Sequence, residues 1–141
     1  MALLVPTTVN HPGAMCWRRS FPGRADQVKA VRQFVGFLMS GSPKADDVVL
    51  AADELVSNAI RHSRSGAPGG LMVVEVRRWH GNGASIAVTD QGGIGEPRCR
   101  SIIEADELDE GGRGLATVAA VSSSWGCHGN TSGRTVTAVF A

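Results

Sequence analysis

Three polar residues, Glu54, Asn58 and His62, recur at intervals of four within the segment AADELVSNAIRHS at residues 51–63. Since an α-helix makes 3.6 residues per turn, this spacing places a carboxylate, a carboxamide and an imidazole along one helical stripe. A carboxylate can accept a proton, and a carboxamide oxygen can ligate a hard cation. Taken alone, the stripe also fits an ordinary solvated helix face, so other segments must decide its role.

Two glycine-rich segments could complete a binding site. In VTDQGGIG at residues 88–95, Asp90 ends an apolar run and glycines follow it, which a simple turn would also explain. In EGGRGLATV at residues 110–118, glycines stand at the start of a predicted helix, where free backbone N–H groups favour a phosphate. A glycine hinge before an ordinary helix is the alternative there.

Composition excludes several classes of function. The chain has 141 residues, 43% of them hydrophobic, so one domain with a real core is expected. The net charge of +1 argues against direct binding of nucleic acid or an anionic membrane surface. Three cysteines without a CxxC pair indicate reduced thiols and a cytoplasmic protein, and the apolar ALLV at residues 2–5 is too short for a signal sequence or a membrane span.

Hydrophobic periodicity predicts the elements around these motifs. Residues 1–14 read as a flexible lead-in and residues 15–21 as an edge strand, before a helix over 24–40 that Gly41 ends. A second helix is expected from Pro43, with Ser42 as its N-cap. Its apolar face comprises Val48, Ala52, Leu55, Val56 and Ala59, whereas Asp47, Glu54, Asn58 and Arg61 fall on the opposite side.

The second half of the chain reads as two hairpins around a helix. Strand-like runs at residues 71–79 and 84–90 are joined by HGNG, and a helical turn is expected near residues 100–107. A helix over 114–125 and a closing hairpin around residues 130–133 follow. This order predicts an α+β two-layer sandwich over residues 15–141, with a mixed, mostly antiparallel sheet and helices on one face.

The four segments taken in order resemble the GHKL ATPase superfamily, specifically its short anti-sigma-factor serine kinases with the Bergerat nucleotide-binding fold. ELVSNAIRHS at residues 54–63 is the most specific part, and VTDQGGIG, EGGRGLATV and SGRTVTAV follow it in the family's order. The chain has neither a GxxxxGK[ST] nor a GxGxxG fingerprint, which disfavours other common nucleotide folds.

The resemblance implies a role for each matching residue. Asn58 would bind Mg²⁺ on the ATP phosphates, Glu54 would act as the catalytic base, and Asp90 would accept a hydrogen bond from the adenine amino group. His62 and Arg61 are possible phosphate contacts, although a histidine packed at a helix C-terminus is at least as ordinary. The remaining nucleotide-binding residues implied are Gly92, Gly95, Gly112, Arg113, Gly114, Leu115 and Thr135.

In the loop after Asp90 the sequence departs from the family pattern. The family's second glycine stands four residues after the aspartate, where this chain has Ile94 and then Gly95. Residues 96–111 would form the lid over ATP, and their acidic run EADELDE has no explanation from nucleotide binding.

The resemblance implies a serine/threonine protein kinase that phosphorylates an anti-anti-sigma (STAS-type) partner and sequesters a sigma factor. A non-catalytic, nucleotide-dependent binding switch and a structural domain with a degenerate pocket are the alternatives. A homodimer through the first helix and the edge strand is possible in such a family.

Overall fold

The predicted order of elements is present in the structure, a computed structural model that describes residues 11–93 and 110–141. For residues 110–113 only the backbone is described. The elements are β1 (Met15–Pro22), α1 (Val28–Leu38), α2 (Ala45–His62), β2 (Leu71–Trp79), β3 (Gly83–Asp90), α3 (Glu110–Val121), β4 (Ser124–Asn130) and β5 (Gly133–Phe140). Short 3-10 turns at Ala25–Gln27 and Arg64–Gly66 precede α1 and follow α2.

The strands form one sheet in the order β1-β2-β3-β5-β4. Every pairing between the described strands is antiparallel, which confirms a mostly antiparallel sheet, and β1 lies at its edge as predicted. Because β5 inserts between β3 and β4, Asp90 at the end of β3 pairs with Arg134 at the start of β5.

One face of this sheet carries the hydrophobic core and the helices. Alternate strand residues point into the core because side chains in a strand alternate between the two faces. They meet α2, which packs between α1 and α3 and against β3. The α+β two-layer sandwich is therefore confirmed, and its buried residues include Phe21, Val74, Val76, Ile86, Ala138 and Phe140 from the strands and Val31, Val35, Val48, Leu55, Val56 and Val118 from the helices.

All three described helices differ in their bounds from the sequence prediction. α1 spans Val28–Leu38 rather than residues 24–40, because Ala25–Gln27 form a 3-10 turn before it. α2 starts at Ala45 rather than Pro43, because Pro43 and Lys44 form a turn in which the Ser42 hydroxyl accepts a hydrogen bond from the Lys44 N–H at 3.1 Å. α3 starts at Glu110, so Gly112 and Gly114 lie inside the helix and not in a hinge before it. The helix also ends at Val121, since Trp125 belongs to β4. The turn expected near residues 100–107 lies outside the described residues.

The described cysteines differ in state. Cys16 is a free thiol, whereas Cys127 is disulfide-bonded, so the prediction of reduced thiols is wrong for Cys127. The pKa of Cys16 is raised by desolvation and further by the Glu75 carboxylate, which keeps this thiol protonated and weakly nucleophilic. In residues 11–93 and 110–141, no helix combines the length and the apolar character needed to cross a membrane.

Candidate functional site

A short connector holds the end of α2 against the end of β3. Ser65 is fully buried there, and its hydroxyl accepts a hydrogen bond from the Gln91 N–H at 3.0 Å. The Arg64 N–H donates to the carbonyl of Gly92 at 2.7 Å. A Cβ on Gly70 would overlap the carbonyl oxygen of Ser65, so the connector packs closely enough to require glycine there. These contacts bring Asp90 close to the C-terminal turn of α2.

Asp90 and Gly92 form a rigid turn at the end of β3. The Gly92 N–H donates to Oδ1 of Asp90 at 2.7 Å, and the Asp90 side chain is only 15% exposed. Gly92 has a φ of +74°, and a Cβ on it would overlap the carbonyl oxygen of Thr131. Backbone geometry therefore demands a glycine two residues after the predicted adenine-binding aspartate. Gly95 lies outside the described residues.

Arg134 is a site residue that the sequence analysis missed. Its side chain is 4% exposed, and its Nε lies 3.7 Å from Oδ1 of Asp90. An Nη2 hydrogen is donated to the backbone carbonyl of His62 at 3.5 Å, so Arg134 links β3 to the last turn of α2. Strand alternation could have found it: Ala138 and Phe140 are core residues of β5, and even-numbered positions therefore point to the core face.

Thr135, by contrast, points to the opposite face of the sheet. Its hydroxyl shares a hydrogen bond of 2.8 Å with the hydroxyl of Thr89, its direct neighbour in the register. Both line a polar depression of 260 Å³ together with Arg18, Glu75, Arg77 and His128. The structure therefore does not bring Thr135 to the Asp90 carboxylate, because neighbouring residues in a strand face opposite sides.

Asn58 lies in the buried part of α2, not opposite its apolar face as the helical projection predicts. It is 7% exposed, and its Oδ1 has no hydrogen-bond partner among the described residues. The projection counted one apolar stripe, but α2 packs between two helices, so its buried arc also takes in Ala51 and Asn58. An unsatisfied buried carbonyl is costly and points to a ligand that would satisfy it.

Glu54 lies one turn before Asn58, directly against α3. A Cβ on Gly114 would overlap Oε2 of Glu54, so this glycine permits the close approach of the two helices at the carboxylate. Gly112 lies in the first turn of α3, where backbone N–H groups have no partner within the helix itself. Nothing is described of the Arg113 side chain. Leu115 is 3% exposed and belongs to the hydrophobic core.

On its other side Glu54 opens onto a groove of 330 Å³ between α2 and the start of α1. Arg61 and Ser57 line this groove together with the apolar side chains of Ala25, Val28 and Ile60. Arg61 is exposed, whereas His62 is half-buried and its carbonyl receives Arg134. Of the two suggested phosphate contacts, Arg61 therefore shares a cavity with Glu54.

The polar side chains of the site fit a cation that is held mainly by the phosphates of a bound nucleotide. The described residues contain no group of three or more His, Cys, Asp or Glu side chains able to hold a metal ion. Mg²⁺ is commonly bound by one or two protein oxygens together with phosphates and water. The buried, unpartnered Oδ1 of Asn58 is such an oxygen, so the residues present fit a magnesium-nucleotide complex better than a metal bound by protein alone.

Comparisons with known proteins bear on the family and the fold of this chain. The model of the histidine kinase-like ATPase domain matches residues 21–140. Among solved structures, a chain in the crystal structure of the SiaB–SiaC complex from Pseudomonas aeruginosa superposes with a TM-score of 0.63 at 17% identity, covering 89% of this chain and 88% of that chain. No curated protein matches the chain. The structural likeness supports the fold, and the match over most of the sequence shows that the chain belongs to the histidine kinase-like ATPase domain family, which implies ATP binding.

Proposed function

We propose that this protein is an ATP-dependent regulatory serine/threonine kinase that phosphorylates an anti-anti-sigma (STAS-type) partner and sequesters a sigma factor. The family supports ATP use, and the resemblance of ELVSNAIRHS and the later motifs to anti-sigma-factor kinases supports the partner class. The structural neighbour was solved as a complex of two proteins, which fits a function through a protein partner. The homodimer through α1 and β1 is proposed on the resemblance alone, and the cytoplasmic location on the cysteine pattern of the sequence.

The unpartnered Oδ1 of Asn58 is the observation that carries the proposal. A buried carbonyl without a hydrogen bond costs about 1–3 kcal/mol, and an Mg²⁺ ion on the ATP phosphates would satisfy it. When bound, the cation would neutralise charge on the transferred phosphoryl group. Asn58 lies one turn before His62, whose carbonyl accepts a hydrogen bond from Arg134 beside Asp90. Helix α2 would therefore link the proposed magnesium ligand to the proposed adenine-binding residue.

The position of Glu54 between α3 and an open groove supports its proposed role as the base in phosphoryl transfer. Glu54 contacts α3 at Gly114 on one side and opens onto the groove with Arg61 and Ser57 on the other. A serine hydroxyl entering this groove would give its proton to Glu54 as its oxygen bonds the γ-phosphorus, and ADP would leave with the electrons of the broken bond. Positioning and charge neutralisation supply most of the acceleration in such a reaction, so this small set of residues suffices.

A nucleotide-dependent binding switch without turnover is the second candidate. It is favoured by the close contact of Glu54 with Gly114, through which a displacement of α3 would reach α2 directly. Nucleotide binding would then shift the affinity for a partner without phosphate transfer.

The test measures ATP binding and phosphate transfer on matched variants. Asn58→Ala should abolish magnesium-dependent ATP binding. Glu54→Gln should keep ATP binding but lose transfer of labelled phosphate to a serine of the partner, whereas Asp53→Asn, the same change at the neighbouring residue of α2, should leave both intact. If Asn58→Ala binds ATP as tightly as wild type, Asn58 does not belong to the proposed magnesium-nucleotide site. Phosphate transfer that survives Glu54→Gln would contradict the role of Glu54 as catalytic base. A wild type whose affinity for the partner changes with ATP, but which never transfers phosphate, would favour the nucleotide-dependent binding switch.

A further inference from the structure

We propose that Arg134 is a base-specificity residue: its Nε–H reads the N1 acceptor of adenine while the carboxylate of Asp90 reads the adjacent 6-amino group. The inference rests on the proposed nucleotide site and adds to it a second residue that recognises adenine.

The first step is that Arg134 keeps an unused hydrogen-bond donor in the protein interior. Its side chain is 4% exposed, and Nε has no hydrogen-bond partner among the described residues. The 3.7 Å between Nε and Oδ1 of Asp90 is too long for a hydrogen bond, so the two groups attract each other as charges only. A buried donor of this kind is rare without a ligand to receive it.

The second step is that the guanidinium is held in place from several sides. Its Nη2 donates to the His62 carbonyl, in the last turn of α2, at 3.5 Å. A Cβ on Gly93 would lie 2.9 Å from Nη2, and a Cβ on Gly129 would lie 3.1 Å from Cγ of Arg134. Since both neighbours are glycines, backbone encloses the side chain closely and fixes Nε beside Asp90.

The third step is chemical complementarity. The edge of adenine presents an amino donor at position 6 next to an acceptor at N1, whereas guanine presents a carbonyl acceptor at position 6 and an N–H donor at N1. Asp90 offers an acceptor and Arg134 a donor at neighbouring positions, which suits adenine and opposes guanine at both. Sites built on buried polar groups discriminate strongly because the wrong ligand leaves those groups unpaired.

The opposite role is also testable: Arg134 could hold Asp90 away from the base and weaken nucleotide binding. The Asp90 carboxylate, however, already accepts the Gly92 N–H at 2.7 Å and is not hydrogen-bonded to Arg134. The carboxylate therefore keeps acceptor capacity for the amino group, and the geometry favours shared reading over blocking.

The experiment compares ADP with two analogues by titration calorimetry. 1-deaza-ADP lacks the N1 acceptor, and 7-deaza-ADP lacks a ring nitrogen on the other side of the base and serves as control. Wild type should bind 1-deaza-ADP about ten- to hundredfold more weakly than ADP, the range for a hydrogen bond to a charged group, and should bind 7-deaza-ADP nearly as well as ADP. In Arg134→Met and Arg134→Leu, which carry no side-chain N–H donor, the ratio between the dissociation constants for 1-deaza-ADP and ADP should fall close to one.

Each other outcome has a definite meaning. Equal binding of ADP and 1-deaza-ADP by wild type overturns the role of Arg134 without touching the nucleotide site, and it needs no folded variant. If Arg134→Met binds ADP more tightly than wild type, Arg134 does not recognise adenine but holds Asp90 away from it. A wild type that binds no ADP at all overturns the proposed function itself.

Discussion

Both faces of the sheet carry charged and polar side chains near β3 and β5, but they use them differently. On the open face, the side of the sheet that carries Thr135 and is not covered by helices, Arg77 pairs with Glu75 at 3.0 Å and Thr89 with Thr135 at 2.8 Å. Nε2 of His128 is the exception there, because it is buried without a hydrogen-bond partner among the described residues. On the helix face, Oδ1 of Asn58 and Nε of Arg134 are buried without hydrogen bonds in the described part of the chain.

The difference separates polar groups that stabilise the fold from polar groups that await a ligand. Paired groups on a half-exposed face have already exchanged water for each other and gain about 1 kcal/mol per hydrogen bond. Unpaired buried groups cost stability and persist where something else satisfies them. We therefore expect substitutions on the two faces to change stability and nucleotide binding in opposite ways.

The largest effect on stability is expected at the turn after Asp90. Gly92→Ala should lower the free energy of unfolding by about 2 kcal/mol or more, because alanine is strained at a φ of +74° and its Cβ would meet the Thr131 backbone. Gly114→Ala is the control: the nearest atom to its Cβ would be Oε2 at the flexible end of Glu54, and alanine favours a helix by about 1 kcal/mol. Urea unfolding measures both, and equal losses would contradict the assignment of backbone strain to Gly92.

Asn58→Leu should separate stability from function. Leucine removes the unsatisfied carbonyl and fills a similar volume, so the free energy of unfolding without nucleotide should rise by about 1–2 kcal/mol while ATP binding disappears. Thermal unfolding with and without magnesium and ATP tests both parts. A destabilised variant would show that Asn58 is satisfied within the fold, and the contrast between the faces would then fail.

The smallest effect is expected on the open face. Replacing both threonines of the pair, Thr89→Val with Thr135→Val, should lower the free energy of unfolding by about 1 kcal/mol or less, since both partners of one hydrogen bond are replaced by groups of the same shape. The dissociation constant for ADP should not change. A loss of ADP binding in this double variant would return Thr135 to the nucleotide site.

Much of the fold followed from periodicity because its elements are strongly patterned. The alternation in β2 and β3 and the glycine-containing HGNG turn predict the first hairpin, and Gly81 and Asn82 indeed adopt positive φ there. Helix ends were less predictable: the Ser42 hydroxyl reaches the Lys44 N–H from a turn and not from the first residue of α2. Local residue preferences leave such boundaries uncertain by several positions, and α3 begins at Glu110 rather than at Gly114.

A site residue was predictable where the local backbone requires one residue type. It was not predictable where contacts with other elements determine which side chain enters the site. Gly92 could be named in advance because an aspartate followed by a turn glycine has a local meaning. Thr135 was expected near Asp90 and Arg134 was overlooked, although they are adjacent in the chain. The choice between them depends on which face of β5 meets α2, and that follows from the register of β5 against β3.

The sequence by itself determined the elements, the glycines at the Asp90 turn and the spacing of Glu54 and Asn58, because each depends on a few neighbouring residues. Only the tertiary structure decided that Asn58 is buried between helices and that Arg134 joins Asp90 to the end of α2. Burial and pairing of a polar group depend on elements that are distant in the chain. The hydrogen bonds that remain unmade therefore become visible only when those elements pack together.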